Sequence, residues 1–223
     1  MKKLSNLFTI TPEQVLSAYQ HGMFPMARGR FGEIHWYISE PRAIIPLKTF
    51  KVRRSLRKAY QKNPYRIVFD TAFPSVIRAC ARHREVGGDE VWLSEEMIEL
   101  YVELHRRGHA HSVEVWDGTQ LVGGLYGIAM NAAFFGESMF TRKTDASKVA
   151  FVHLVRQLER WRYRLIDCQL PSKHLFSLGA EEIRRRDFLD RLEQALQQPG
   201  RTGHWRFEAD PAILTGSHPP ARP

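Results

Sequence analysis

The sequence predicts an α+β fold in which helices cover a mixed, largely antiparallel sheet. Three strand-like segments follow one another between residues 110 and 140 with only short turns between them, which predicts an antiparallel meander. Helical segments precede and follow this meander instead of alternating with single strands, which argues against a parallel α/β fold. A hydrophobic content of 43% over 223 residues is sufficient for a sizeable core.

The N-terminal segments predict a capped helix followed by irregular and extended chain. Residues 11–14 (TPEQ) form a capping-box pattern with proline at the first helical position, which predicts a helix start. We expect a loop over residues 22–32 and an extended segment over residues 35–47. Pro41 and Pro46 argue against a central strand within that segment, because proline cannot donate to a ladder.

The middle of the chain predicts three helices and one strand. Residues 50–62 have a basic helical pattern, and residues 65–70 have the apolar alternation of a strand. A second helix is expected to begin near Pro74. Ser94 is a good N-cap for a third helix, with acids in its first turn, and Gly108 can end that helix.

The meander is followed by a helix, a short strand and a last helix. The charge-free stretch 118–136 is nearly long enough to span a membrane, but its glycines indicate two core strands joined by a turn. The predicted segments are strands at 110–117, 120–130 and 131–140, a helix at 146–162, a strand at 165–169 and a helix at 186–198.

We expect two domains and a tail: an N-terminal domain over residues 1–62, a catalytic domain over residues 63–198, and a flexible tail over residues 199–223, which is rich in Gly, Pro, Arg and His. Two cysteines give neither a disulfide framework nor zinc-site spacing. With no apolar run typical of a signal peptide at the start, a cytoplasmic protein without membrane segments is expected.

The formal net charge is +9, from 33 basic and 24 acidic residues, and the excess is local. Basic patches occur at residues 51–66, 156–164 and 184–186. Such patches suit contacts to nucleic-acid phosphates, because each neutralised phosphate releases counterions. Each patch alone is also compatible with a solvated face that only aids solubility.

One acid stands out because of its neighbours. Glu137 lies within the stretch AAFFGESMF, residues 132–140, among large apolar side chains. A carboxylate is costly to bury there unless a partner or a ligand pairs with it. Glu137 therefore either points to water at a strand end or lies in a pocket where it meets a cationic group of a substrate.

Strings along nearly the whole chain, up to about residue 195, resemble the leucyl/phenylalanyl-tRNA–protein transferase family. Each string alone is weak evidence, but the ordered set is specific. The strings are WYISEPRAIIPL (36–47), FDTAFPSVIRACA (69–81), VWLSEEM (91–97), GHAHSVEVW (108–116), LVGGLYG (121–127), FFGESMF (134–140), ASK (146–148), IDCQ (166–169), HLFSLGA (174–180) and IRRRDF (183–188).

The resemblance implies an N-terminal domain joined to a domain of the GNAT acyltransferase type, and it implies a reaction. Family members transfer leucine, phenylalanine or methionine from aminoacyl-tRNA to the N-terminal Arg or Lys of a protein, which marks that protein for degradation by the N-degron pathway. The aminoacyl ester already carries the activation, so no metal, ATP or other cofactor is implied. A monomer is expected.

The resemblance also implies binding residues for the donor. Matches to the family's motif positions place Trp36 and Trp92 against the terminal adenosine of tRNA, where stacking contributes about 1–3 kcal/mol per base. The sequence after Trp36 departs from the family's usual pattern. Each proposed pocket residue could equally be an ordinary core residue of a sheet and a helix. The aminoacyl pocket is assigned to Leu125, Phe134, Phe151, Leu154, Leu158 and Ile166.

Three polar residues are implied for the acceptor. Asp167 and Gln169 lie on the same face of the predicted strand, and we expect them to orient the α-amine and to help relay its proton. Glu137 is expected to meet positive charge on the acceptor. Proton transfer assisted by the tRNA ribose is equally compatible with the sequence.

The sequence gives less support to other functions. A GNAT enzyme using acetyl-CoA would need a glycine-rich run before the helix at 146, and residues 142–148 (RKTDASK) have no glycine. A non-catalytic tRNA-binding module would leave the acids unexplained. A serine–lysine nucleophile is unnecessary when the donor is already an ester. Of the histidines at 105, 109 and 111, His109 and His111 are separated by one residue, which suits a strand end better than a helical metal pair, and no acid-rich segment follows, so no metal site is expected.

Overall fold

The computed structural model describes residues 10–27, 29–50, 57, 65–87 and 93–208. The helix predicted over residues 50–62 and the basic patch at 51–66 lie almost entirely outside these residues. In chain order the elements are α1 (Pro12–Gln20), β1 (Phe24–Ala27), β2 (Ile34–Tyr37), β3 (Arg42–Ile45), β4 (Arg66–Phe69), α2 (Phe73–Gly87), α3 (Glu95–Arg106), β5 (Ala110–Asp117), β6 (Gln120–Met130), β7 (Ala133–Thr141), α4 (Ala146–Arg160), β8 (Leu165–Gln169), α5 (Lys173–Ser177), β9 (Glu181–Ile183) and α6 (Arg185–Leu196).

A seven-stranded sheet organises the described chain, in the order β4-β5-β6-β7-β8-β3-β9. The pair β7–β8 is parallel and the other neighbours are antiparallel. The prediction of a mixed, largely antiparallel sheet with a β5–β7 meander is therefore confirmed. The parallel pair needs a crossover, and α4 provides it between β7 and β8.

Both faces of the sheet are covered, because successive strand residues point to opposite sides. On one face, Tyr126 and Phe135 join a core with α1, α2, α3 and α6. On the other face, Leu125 and Phe134 join a core with α4. The layers are thus helices, sheet and helix, and any cavity beside α4 opens among side chains of the second core.

The predicted helix starts are confirmed at the N-terminal side of the fold. Thr11 and Gln14 form a reciprocal capping box at the start of α1. Ser94 accepts a hydrogen bond from the backbone of Met97 at the start of α3. These caps satisfy backbone N–H groups that would otherwise lack partners, so the local sequence was sufficient to predict them.

Two predictions near the N-terminus were wrong. The segment expected to be a loop contains β1, which pairs with β2 in a separate two-stranded sheet. Pro41 and Pro46 do not prevent a central strand, because β3 fits between them and pairs with both β8 and β9. β3 lies within residues 1–62 and is a strand of the large sheet, and the domain boundary at residue 62 stays a prediction.

The tail expected from residue 199 is also shorter than predicted. Trp205 is buried, and its ring lies 3.7 Å from the His111 ring in a near-parallel stack. The Trp205 amide donates to Asp70 at 2.6 Å. Burial of such a large aromatic side chain stabilises its segment, so residues around Trp205 belong to the folded protein.

Candidate active site

A cavity of about 540 Å³ lies beside β6, β7 and β8, with α4 and the start of α5 at its borders. Five residues of the predicted aminoacyl pocket line it: Leu125, Phe134, Phe151, Leu154 and Ile166. Leu158, the sixth, lies one helical turn beyond Leu154 and is fully buried in the core instead. The cavity is of ordinary size for a small-molecule site and is mostly apolar.

Glycine at one position of β6 makes room for the cavity wall. A Cβ atom on Gly127 would lie 2.5 Å from Cζ of Phe134, too close for any side chain. The Phe134 ring can therefore lie across β6 and border the cavity. This close approach explains one glycine of the LVGGLYG string in physical terms.

Glu137 lies at the polar end of the cavity, and neutral donors hold its carboxylate. Tyr19 donates to Oε1 at 2.6 Å, Gln169 donates from Nε2 to Oε1 at 2.7 Å, and Tyr101 donates to Oε2 at 3.0 Å. Glu137 is partly buried, whereas both tyrosines are fully buried. Glu137 has no cationic partner among its contacts in the described chain.

The tyrosines and Glu137 form a closed triangle of oxygen contacts. The hydroxyls of Tyr19 and Tyr101 are 2.7 Å apart, in addition to their contacts with the carboxylate. Three contacts need three protons, and two hydroxyls supply two. When Glu137 is ionised, both hydroxyls donate to its carboxylate, and no proton is left for the contact between them. A protonated Glu137 would supply the third proton by donating from Oε2 to Tyr101, which would then donate to Tyr19.

The pKa of Glu137 agrees with this arrangement. Burial, with a smaller contribution from the negative charge of Asp167, raises its pKa from 4.5 to about 7, although hydrogen bonds from Tyr19, Tyr101 and Gln169 oppose the shift. Burial and the nearby Glu137 charge also raise the pKa of both tyrosines well above 10. Near neutral pH, Glu137 thus exchanges between its protonated and ionised forms, and a nearby cation would favour the ionised form.

Asp167 has a different environment. Arg42 forms a two-pronged ion pair with it, from Nε to Oδ1 at 2.8 Å and from Nη2 to Oδ2 at 2.6 Å. Both side chains are almost completely buried. The guanidinium lies between the rings of Phe24 and Phe188, and its Nη1 donates to the Gly22 carbonyl. Asp167 is not among the residues that line the cavity, and its expected part in orienting the acceptor amine stays a prediction.

Gln169 connects the two acids. Its backbone N–H donates to Oδ1 of Asp167 at 2.8 Å, and its side-chain amide donates to Glu137. The φ angle of Gln169 is +60°, in the left-handed region that is strained for a side chain larger than glycine. Gln169 itself lines the cavity. Gln169 thus contacts both Asp167 and Glu137, so the three residues expected to serve the acceptor lie together.

Of the two tryptophans predicted to bind the terminal adenosine, the structure describes Trp36. Trp36 lies in β2 opposite Pro25 and is 38% exposed, but Met26, on the neighbouring strand, is the residue that borders the cavity. Trp92 lies outside the described residues. Both remain sequence-based predictions.

The serine–lysine arrangement rejected from the sequence has no support in the geometry. Lys148 donates to Asp145 at 2.6 Å, and Ser138 has no hydrogen-bond partner for its buried hydroxyl within the described chain. Cys168 also lines the cavity, but burial strongly raises the pKa of its thiol. A neutral thiol is a poor nucleophile, so the cavity favours binding and orientation over covalent catalysis.

Sequence reasoning missed Tyr19, Tyr101 and Arg42. Tyr19 and Tyr101 lie on the buried apolar faces of α1 and α3, so in the sequence they resemble ordinary core residues. Arg42 was part of a string that resembles the family, but no role was assigned to it.

No helix in the described part of the chain is both long and apolar enough to cross a membrane.

Comparisons with known proteins agree with the sequence resemblance. Residues 44–193 match the family model described as Leucyl/phenylalanyl-tRNA protein transferase, and residues 8–40 match the model of its N-terminal domain. The break between these matches, residues 41–43, includes the first two residues of β3.

Curated proteins named Leucyl/phenylalanyl-tRNA--protein transferase are similar over most of their length. The Nitrosomonas europaea protein is 50% identical over 200 residues, which cover 89% of this chain and 84% of that protein. The Pseudomonas syringae pv. syringae protein is 49% identical, covering 85% and 82%. Among solved structures, L-PGS from Bacillus licheniformis aligns with a TM-score of 0.42 and 14% identity over 92% of this chain and 71% of that one.

Proposed function

The chain belongs to the leucyl/phenylalanyl-tRNA–protein transferase family, and from that premise we propose that it transfers Leu, Phe or Met from aminoacyl-tRNA to the N-terminal Arg or Lys of acceptor proteins. It is an aminoacyltransferase. The transfer would mark the acceptor for degradation through the N-degron pathway. The large sheet with its covering helices would correspond to the GNAT-like domain of the family.

The apolar part of the cavity would hold the donor side chain. Leu125, Phe134 and Phe151 present hydrocarbon and ring surface without a charge that could pair with a polar side chain. A leucine, phenylalanine or methionine side chain would lose its water there, which favours binding by about 25 cal/mol per Å² of buried apolar surface. Discrimination by one methylene would be modest, about 1–3 kcal/mol.

The single observation that carries the acceptor assignment is the environment of Glu137. Its carboxylate borders the cavity, is held by three neutral donors and has a pKa of about 7. An Arg or Lys side chain entering the cavity would complete an ion pair that the protein itself leaves unmade. Binding of that cation would lower the pKa of Glu137 and keep it ionised.

The acceptor α-ammonium first loses one proton, and the neutral amine then attacks the ester carbonyl carbon. A C–N bond forms, the C–O bond to the tRNA ribose breaks, and a second proton from the amine passes to the ribose oxygen, which leaves as a hydroxyl. Gln169 would orient the amine through its side-chain oxygen, since its amide nitrogen is engaged by Glu137. Asp167 would act through Gln169, because its own oxygens are engaged by Arg42 and by the Gln169 backbone.

Acetyl-CoA is a poorer substrate for this geometry. A CoA pyrophosphate would need free amides and positive potential at the start of α4. Asp145 is the N-cap of α4, and residues 142–148 contain no glycine. Its negative charge would repel a pyrophosphate at that helix terminus.

The direct test measures transfer of radiolabelled leucine from leucyl-tRNA to a protein that begins with arginine. The same protein beginning with alanine, and the Glu137→Ala enzyme, serve as controls. We expect label on the Arg-start protein only, and loss of that label with the variant. Transfer that survives in the variant would retain the activity but remove the acceptor role of Glu137, whereas no transfer despite tRNA binding would favour a binding module.

A further inference from the structure

A second polar cluster lies at the opposite side of the sheet, at the β4–β5 edge. Asp70 follows β4, His105 lies in the last turn of α3, and His204 belongs to the C-terminal segment. One carboxylate oxygen and one ring nitrogen from each histidine lie within 4.8 Å of one another. The strands β5 and β6 separate this cluster from the strands that carry Glu137 and Asp167.

The buried members of the cluster are held by hydrogen bonds of the kind that orient metal ligands. Oδ1 of Asp70 accepts from the Ser112 backbone at 2.8 Å, and Oδ2 accepts from Nδ1 of His111 at 2.8 Å. Nδ1 of His105 lies 2.8 Å from the Ala110 carbonyl, so it carries the proton and donates. Nε2 of His105 then keeps its lone pair, which is the usual state of a ligating histidine whose other nitrogen donates to a carbonyl.

Close backbone packing holds the C-terminal segment that carries His204. Gly108 and Gly203 both have positive φ angles, +77° and +72°. A Cβ atom on Gly108 would lie 3.0 Å from Cα of Gly203, so the two backbones approach closely only because neither position needs a side chain there. Trp205, stacked on His111, holds the chain on the other side of His204.

We propose that Asp70, His105 and His204 bind a divalent transition-metal ion of the zinc class and that the ion ties the C-terminal segment to the β4–β5 edge. Two imidazoles and one carboxylate match the ligands of Zn²⁺, whereas Mg²⁺ and Ca²⁺ prefer all-oxygen sets. Tetrahedral bonds of about 2.0–2.1 Å require ligand atoms about 3.4 Å apart, so the three ligand atoms, which lie within 4.8 Å of one another, would move closer together on binding the ion. Rotation of the exposed His204 side chain would supply the part that concerns His204. Water would fill the fourth position.

The sequence did not indicate this site, and the reason is spatial. The three ligands come from separate parts of the chain, and the histidines that drew attention, at 105, 109 and 111, are not the set that converges. His111 contributes by holding Asp70 instead of contacting the metal. The site does not depend on the proposed transferase function.

The test uses the full-length protein after removal of metals by a chelator. Zn²⁺ is titrated by calorimetry into the wild type, His204→Ala and His21→Ala. His21 is an exposed histidine outside the cluster and serves as the matched control. We expect one tight Zn²⁺ in the wild type and in His21→Ala, and affinity at least about 100-fold lower in His204→Ala.

Two further measurements separate the metal site from an indirect effect. Co²⁺ in place of Zn²⁺ should give the intense visible absorption of a tetrahedral site in the wild type and not in His204→Ala. Zn²⁺ should raise the Tm of the wild type and of His21→Ala but not that of His204→Ala. His204 is exposed, so its removal should leave the metal-free fold unchanged by circular dichroism, unlike a change at His105, which stacks on Phe73. Absence of tight binding in the wild type, or equal affinity in wild type and His204→Ala, would overturn the proposal.

Discussion

Glu137 and Asp167 lie on neighbouring parallel strands, and the fold surrounds them with opposite kinds of partner. Asp167 is neutralised by the buried guanidinium of Arg42, whereas in the described chain the hydrogen bonds of Glu137 come from tyrosine hydroxyls and an amide. Because Arg42 already pairs with Asp167, we propose that Glu137 is the acid available to an incoming cation and that Asp167 supports the site.

The largest effect should come from Arg42→Met. The change leaves Asp167 buried beside apolar rings without its cation, which should lower the free energy of unfolding by about 3–5 kcal/mol. Urea denaturation measures it. The double variant Arg42→Met with Asp167→Asn removes both charges and should recover a substantial part of the loss. Equal destabilisation in the single and double variants would show that the ion pair is not the cause.

The next effect should come from Glu137→Gln, which retains much of the shape and hydrogen bonding but removes the negative charge. We expect kcat/KM for an Arg-start acceptor to fall at least about 30-fold, or about 2 kcal/mol, because the acceptor cation loses its partner. KM for aminoacyl-tRNA should change little. Steady-state kinetics with each substrate varied in turn measure both, and an unchanged acceptor kcat/KM would contradict the role of Glu137.

The free energy of unfolding should depend on pH because the pKa of Glu137 is raised in the folded protein. The pKa of Glu137 is raised from 4.5 to about 7, so the folded state holds a proton that the unfolded state has lost between these values. The stabilisation is therefore present below pH 4.5 and is lost as the pH rises through about 7. Glu137→Gln should remove a decline of about 1–3 kcal/mol between pH 5 and pH 8.

This pH prediction is read from urea denaturation of the wild type and Glu137→Gln at both pH values. The informative quantity is the difference between the two proteins, since other groups contribute the same slope to each. A constant difference across this range would mean that Glu137 titrates in the folded protein as it does in the unfolded chain.

The smallest effect on stability should come from Gln169→Gly. The change relieves the strain of the left-handed backbone and removes the side-chain amide that donates to Glu137. We expect stability to rise by up to about 1 kcal/mol while transfer falls. Arg162→Gly is the matched control, because Arg162 has the same φ of +60° at an exposed turn. The Arg162→Gly variant should gain similar stability without loss of transfer. A transfer rate that is also unchanged in Gln169→Gly would remove Gln169 from the mechanism.

The sequence by itself determined the local structure and part of the site. Capping residues at Thr11 and Ser94 predicted two helix starts, and alternation predicted the meander. The same alternation placed Asp167 and Gln169 on one face of β8. These features are set by hydrogen bonds and side-chain directions within a few residues of chain, so they can be recognised without knowing the fold.

Only the tertiary structure decided which partner each acid received. Arg42 reaches Asp167 because β3 inserts beside β8, and Tyr19 and Tyr101 reach Glu137 because α1 and α3 pack on the same face of the sheet. Trp205 and His204 likewise reach Asp70 across the fold. Partners so distant along the chain are chosen by strand order and helix packing, and the free energy of a buried charge depends on those partners more than on its neighbours in sequence.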